Sequence, residues 1–380
     1  MRITDVETVA LYRQLDAWGM GKIDQDIVLI RIHTDGGITG ISYLPLIQMF
    51  RKDKPGASGG SHARPIVAFI SDHFRPLLVG EDPAAIERLW ELMYGSILRF
   101  NRKGPAMQCL GALDVALWDI KGKVANLPVY QLLGGYRDRC LAYVNCNHMA
   151  RPEDAARKTG EYAAMGYKAV KVRASRFAGS LEDAIERARL VREAIGKDVK
   201  LLLDVSQDWD VSTTIRMAKK LEPYDIFVLE GPIHENDVRG YTRLCETLDV
   251  PIACGAHLSD RWEFLDRIER RAGDMFNPDV FNVGGITEWM KIAALASAAG
   301  IPMIPHACEQ VHIHLVCASP VPVLLEHFEP DMPAFGGFFH DLFNMPDDFR
   351  HPVDGYVAVP QRPGLGLEVN EDLVAKHRVA

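Results

Sequence analysis

Residues 199–205 read VKLLLDV, and two later stretches are built the same way, IFVLE at 226–230 and VPIAC at 250–254. Each is a short apolar run rich in Val, Ile and Leu, the pattern of a strand buried on both faces in a parallel sheet. The first two close on carboxylates, Asp204 and Glu230, whereas the third runs into Gly255, Ala256 and His257. Similar runs lie at 141–145 (LAYVN), 168–173 (KAVKVR), 279–283 (DVFNV), 302–305 (PMIP) and 321–325 (VPVLL), and helical patterns such as LEDAIERARLVREAIG and TEWMKIAALASAAG separate them. Eight strands, each followed for most of the way by a helical pattern, predict a (β/α) barrel. An open doubly wound sheet fits less well, because no Gly-rich phosphate fingerprint follows the first strand.

Upstream, MRITDVETVALYR and QDIVLIRIHTDGGITGISY alternate in polarity, with a turn signal at Asp35-Gly36-Gly37, which predicts an antiparallel meander. Helical patterns follow, one opening at Asp82-Pro83 and one ending at Asn126-Leu127-Pro128. Residues 1–125 thus read as an α+β lobe, 126–350 as the barrel, and the turn-rich 351–380 as a tail folding back on the lobe.

The 380-residue chain is 48% hydrophobic and 25% charged, ordinary for a globular protein, and its net charge is −8. That charge, without a long basic run, argues against nucleic-acid or membrane-surface partners and for small molecules. No apolar run is long enough to span a bilayer and MRITDVETV has no signal-peptide character, so a cytoplasmic location is expected. Seven cysteines without a CxxC pair predict buried free thiols rather than a zinc site.

Active sites of such barrels lie at the C-terminal strand ends, so the polar residues there are read first. Lys171 and Arg173 alternate along one strand and point the same way, into the barrel mouth. A neighbouring cation lowers a lysine pKa and makes it a better base, while arginine stays charged and clamps carboxylates. Asp204 and Glu230 on adjacent strands would repel unless they shared a cation such as Mg²⁺; pairing with Lys171 and Arg173 is the alternative. Asp279 and His306 suit a dyad in which the carboxylate fixes the tautomer and raises the basicity of the imidazole. Glu326, if protonated, could donate to a developing oxyanion.

With these motifs together, the sequence resembles the enolase superfamily and, within it, the mandelate racemase-like subgroup that includes acid-sugar dehydratases. The resemblance spans nearly the whole chain, including VGEDPAAIERLWELMY, GALDVALWDIKGKVANLPVYQLLGG and RPGLGLEV. It implies a modified TIM barrel, (β/α)₇β, with an N-terminal α+β capping domain, in a symmetric homo-oligomer. It also implies Mg²⁺ held by three carboxylates and abstraction of the proton α to a substrate carboxylate. Asp204 and Glu230 would be metal ligands, Lys171 and Arg173 would occupy the base position, His306 and Asp279 would form the dyad, and Glu326 would be their acidic partner. The implied substrate is a small carboxylate, a sugar acid, dehydrated to a 2-keto-3-deoxy acid; racemisation or epimerisation is the nearest alternative.

The chain departs from this pattern at the third metal carboxylate, which falls at Ala256. Mg²⁺ would bind through two carboxylates and extra waters; or His257 or Asp260 would substitute; or the metal would be lost, leaving a silent binding protein. The first is favoured because the rest of the site is intact. By strand alternation, an inward Ala256 sends His257 toward the wall. Arg173 stands where a second lysine is common, Ser206 where Asn is common, and Gly231 where a second Glu is usual. Arginine is a poor base, which weakens a two-base racemase. Substrate-facing loops are expected in LDAWGMGKID and MFRKDKPGASGGSHARP, the second carrying Arg51, Lys52, Lys54, His62 and Arg64.

Overall fold

The structure is a computed structural model that describes residues 1–16, 22–48, 63–147, 149–175, 179–332 and 335–379. Strands β1 (Ile3–Asp16), β2 (Lys22–Thr34) and β3 (Thr39–Gln48) form the antiparallel meander. Their alternation puts one face on the helix Pro105–Ala125, which is apolar nearly all round because the barrel covers its other side. At Gly40 a Cβ would lie 2.3 Å from the Ala116 carbonyl oxygen, so the sheet meets the helix backbone to backbone. The helix starts on a proline and stops where Asn126 turns left-handed, at φ 53°.

Strands β4 (Arg139–Asn145), β5 (Ala169–Arg173), β6 (Lys200–Asp204), β7 (Ile226–Glu230), β8 (Ile252–Cys254) and β9 (Met275–Phe276) pair in parallel in chain order. β10 (Leu325–His327) pairs in parallel with β4, and single bridges from Phe276 to Met303 and from Met303 to Pro322 close the circle. β11 (Tyr356–Ala358) adds an antiparallel pair to the start of β4, while the final helix, Glu371–His377, packs against β1.

Three strand expectations are corrected. The sixth strand is Met275–Phe276, not 279–283: Asn277-Pro278 ends the pairing, since proline has no N–H to donate. The apolar residues that imitated a strand, Val280, Phe281 and Val283, are buried in a turn; Phe281 meets Tyr43 of the cap edge to face, with ring centroids 5.3 Å apart. The seventh, 302–305, is reduced to the Met303 bridges, because proline stands on both sides of Met303-Ile304. The eighth begins at Leu325, so Glu326 sits inside a strand rather than closing one. The cationic loop residues Arg51, Lys52, Lys54 and His62 lie outside the described residues, and Arg64 is exposed at the start of a short helix, Arg64–Ala68.

Inside the barrel, one buried side chain from each strand position forms a separate apolar layer: Tyr143, Ala169, Leu202, Val228, Ala253, Met275, Ile304 and Leu324. Because side chains alternate, the next inward layer lies two residues further along each strand. It reads Asn145, Lys171, Asp204, Glu230, Gly255, Asn277, His306 and Glu326. A greasy plug and a polar ring directly above it are therefore a single sequence offset.

Asp119 joins the parts of the chain that support this frame. Buried in the long helix, it accepts 2.8 Å hydrogen bonds from Ile41 N–H of β3 and Leu365 N–H of the tail, and it pairs with Lys123 at 2.6 Å. Asp119→Ala orphans one buried and one partly buried N–H donor and is expected to cost roughly 2–4 kcal/mol, read as a lower urea midpoint of far-UV circular dichroism. An unchanged midpoint would remove Asp119 from this role.

Candidate active site

Seven of the eight residues of the polar ring line one cavity of about 350 Å³ at the C-terminal strand ends; Gly255, without a side chain, is the exception. All seven site residues expected from sequence gather around it, six of them in its walls and Asp279 behind His306. Asp204 and Glu230 are register partners on β6 and β7. Lys171 lies between two acids, with Nζ 2.9 Å from Glu230 Oε2 and 2.7 Å from Glu326 Oε1. Arg173 lies 3.4 Å from Asp204 and donates to Ser206 Oγ at 2.7 Å, while its Nε has no partner among the described residues. Ser206, left-handed at φ 52°, in turn donates its N–H and hydroxyl to Asp204 Oδ1.

Across the cavity, His306 Nδ1 is 3.0 Å from Asp279 Oδ2. Asp279 is aimed by the turn that follows β9: its Oδ1 accepts the N–H groups of Phe281 and Asn282 at 2.9 and 3.2 Å. With Nδ1 facing Asp279, the other ring nitrogen of His306 is left to the cavity.

The electrostatics revise two expectations. Burial alone would pull the Lys171 pKa down, but Glu230, Glu326 and Asp204 outweigh it and hold the amine above its ordinary value. Lys171 is therefore a locked ammonium, not a poised base; its carboxylate neighbours, not Arg173, decide its charge. Burial would raise Glu326, yet Lys171, His306 and the 2.6 Å hydrogen bond from Ala307 N–H bring it down to about 2. It is an ionised acceptor and cannot donate to an oxyanion. Desolvation opposes charge on His306, but its bond to Asp279 and the charge of Glu326 prevail and raise its pKa to about 9.

The alternation argument for His257 also fails. Gly255 adopts φ +120°, which interrupts the pleat, and both Ala256 and His257 face the cavity. Asp260 is no substitute ligand: its Oδ1 caps the helix Arg261–Glu269 and its Oδ2 accepts from Tyr94. Sequence reading missed Asn145, Asn147, Asn277 and Glu235, which also line the cavity. Asn145 is the first strand's own tip, and Asn277 was hidden by placing the sixth strand too late. Asn147 donates to Asp204 Oδ2 at 2.5 Å, and the side-chain oxygens of Asn147 and Asn277 are buried without partners among the described residues.

For a divalent cation, the ring supplies two anionic oxygen ligands, Asp204 and Glu230, and a methyl group at Ala256. Among the described residues no three His, Cys, Asp or Glu side chains converge to hold a metal ion. Mg²⁺ commonly keeps several waters and takes one or two carboxylates plus substrate oxygens. The donors thus fit Mg²⁺ in kind, with one charge fewer than the resemblance implies.

Two outcomes follow from this geometry. Ala256→Glu, which adds the third carboxylate, should tighten Mg²⁺ binding by roughly two orders of magnitude in calorimetry, about 2.7 kcal/mol; unchanged affinity would contradict the site. For His306, a folded pKa above the unfolded value means a stabilising contribution that is complete below about 6.5 and disappears as pH rises through about 9. Asp279→Asn should therefore lower the melting temperature more at pH 6 than at pH 9.5, and should shift the His306 imidazole titration, followed by NMR, downward.

Known proteins resemble this chain over nearly its whole length. Residues 154–373 match the family model described as enolase C-terminal domain-like, and residues 17–134 match the mandelate racemase / muconate lactonizing enzyme N-terminal domain. Arabinonate dehydratase of Saccharolobus solfataricus is 32% identical over 371 residues, 95% of this chain and 92% of that protein. L-talarate/galactarate dehydratase of Salmonella typhimurium is 32% identical, over 91% of this chain and 81% of that one. Among solved structures, L-talarate dehydratase from Polaromonas sp. JS666, complexed with Mg and L-glucarate, superposes with a TM-score of 0.82 at 32% identity, covering 100% of this chain and 98% of that chain. A racemase from Streptomyces coelicolor with bound magnesium superposes at 0.86 with 26% identity, covering 99% and 100%.

Proposed function

The chain belongs to the mandelate racemase-like group of the enolase superfamily, and from that premise we propose that it removes the proton α to the carboxylate of a sugar acid and expels the β-hydroxyl, leaving a 2-keto-3-deoxy acid. The observation that carries this reading is the His306–Asp279 pair, 3.0 Å apart, facing a ring of fixed charge across one cavity. Removing an α-proton from a carboxylate creates an enediolate, so positive charge must be in place before the proton leaves. Asp204 and Glu230 would hold a Mg²⁺ ion, which when bound supplies part of that charge. Lys171 contributes a permanent ammonium, and Arg173, with Nε free, orients the acid. The unpartnered oxygens of Asn147 and Asn277 are acceptors suited to substrate hydroxyl groups.

Dehydration needs a proton acceptor at one carbon and a proton donor at the next. Racemisation needs bases on opposite faces. With Lys171 held as an ammonium by Glu230 and Glu326, the opposite base is missing, which favours dehydration. A second reading, an acid-binding chain without turnover, is favoured by Ala256 alone.

The experiment is a panel of D-arabinonate, D-galactonate, L-talarate and galactarate in D₂O with and without Mg²⁺. We expect 2-keto acid from at least one compound, lowered by about 10²–10⁴-fold in His306→Asn. Solvent deuterium at the α-carbon of recovered acid in both epimers, without keto acid, would favour the racemase instead. Neither product, with sugar-acid binding retained, would leave the binding protein.

A further inference from the structure

Just past β8, His257 forms part of the wall between two cavities. One is the polar chamber; the other, of about 500 Å³, lies between the barrel mouth and the cap and is lined by Leu44, Pro45 and Leu46 of β3. His257 and His306 line both cavities, with ring centroids 6.2 Å apart and planes at 57°. The His257 imidazole has no hydrogen bond to a described residue, and the residue is exposed. His306, by contrast, is fastened through Nδ1 to Asp279. Two imidazoles separated in this way can address neighbouring carbons of one substrate, one at Cα and one at Cβ.

We propose that His257 is a second catalytic acid–base residue of this site, taking the α-proton while the His306 imidazolium protonates the departing β-hydroxyl. The assignment rests on the dehydration reading above. In the step, the Cα–H bond breaks and its proton passes to the neutral His257 ring. The electron pair forms the Cα=Cβ bond, and the Cβ–O bond breaks, oxygen leaving as water with the proton from His306. His257 then returns its proton to Cβ as the enol becomes the keto acid, and the enol proton restores His306 through solvent. No electrons are gained or lost overall.

The protonation states match this division of labour. Desolvation and the charge of His306 hold the His257 pKa below the ordinary histidine value, against Asp279 and Asp204, whereas that of His306 is raised to about 9. At neutral pH the pair is one free base and one charged acid, the separation expected of partners with opposite tasks.

His257→Asn and His306→Asn distinguish the roles, with whichever of D-arabinonate, D-galactonate or L-talarate the wild type converts fastest, in D₂O. His257→Asn should lose both α-deuterium incorporation and keto-acid formation by about 10²–10⁴-fold, with calorimetric binding of the acid little changed. His306→Asn should keep α-deuterium incorporation and lose keto acid. Incorporation in His257→Asn within threefold of wild type would overturn the role of His257 while leaving dehydration standing. A wild type that neither exchanges the α-proton nor forms keto acid would overturn both.

Discussion

The Lys171 ammonium sits 2.9 Å from Glu230 and 2.7 Å from Glu326, almost completely removed from water. An isolated buried charge of either sign is heavily penalised, and the buried carboxylates in and behind this chamber, Asp204, Glu230, Asp279 and Glu326, with Glu235 paired to Arg267, would be untenable alone. Lys171, Arg173 and the His306 imidazolium make the set tolerable. The same pairing that lets the chain fold fixes which groups can exchange protons. Lys171 cannot act as a base without abandoning two carboxylates, whereas His306 is fastened at one nitrogen and open at the other.

Ala256 removes one negative charge from this balance. With a third carboxylate, the ring would be strongly anionic and would demand a cation; with a methyl group, its own side chains nearly neutralise it. Under the proposed function, a sugar acid carrying its own carboxylate and hydroxyl oxygens would supply the ligand oxygens that Ala256 lacks. His257 and His306 stand on the wall that this chamber shares with the cavity beside β3 of the cap.

Much of this was legible from strand patterns. Short apolar runs ending in charge placed Lys171, Arg173, Asp204, Glu230 and His306 correctly, because alternation is a geometric property of any strand. The reading failed where that geometry is interrupted. Proline at 278 and at 302 and 305 shortens pairing in a way apolar content does not reveal, and this hid Asn277. Past Gly255, at φ +120°, Ala256 and His257 both face the cavity, which a strict period of two forbids. Charge states were misjudged for another reason: the Lys171 pKa depends on Glu326, a partner more than 150 positions away that only closure of the barrel brings near.

The members of this charge ring hold one another in fixed protonation states, and the chemistry of the site follows from that. The most direct test is the titration of Lys171, followed by lysine-selective ¹⁵N or ¹³C NMR, with Glu326→Gln as the comparison. The account predicts a protonated amine from pH 6 to at least pH 10, its ordinary value being 10.5, and a downward shift in the variant. A Lys171 that titrates near neutrality in the wild type would make it a free base and would contradict the ring.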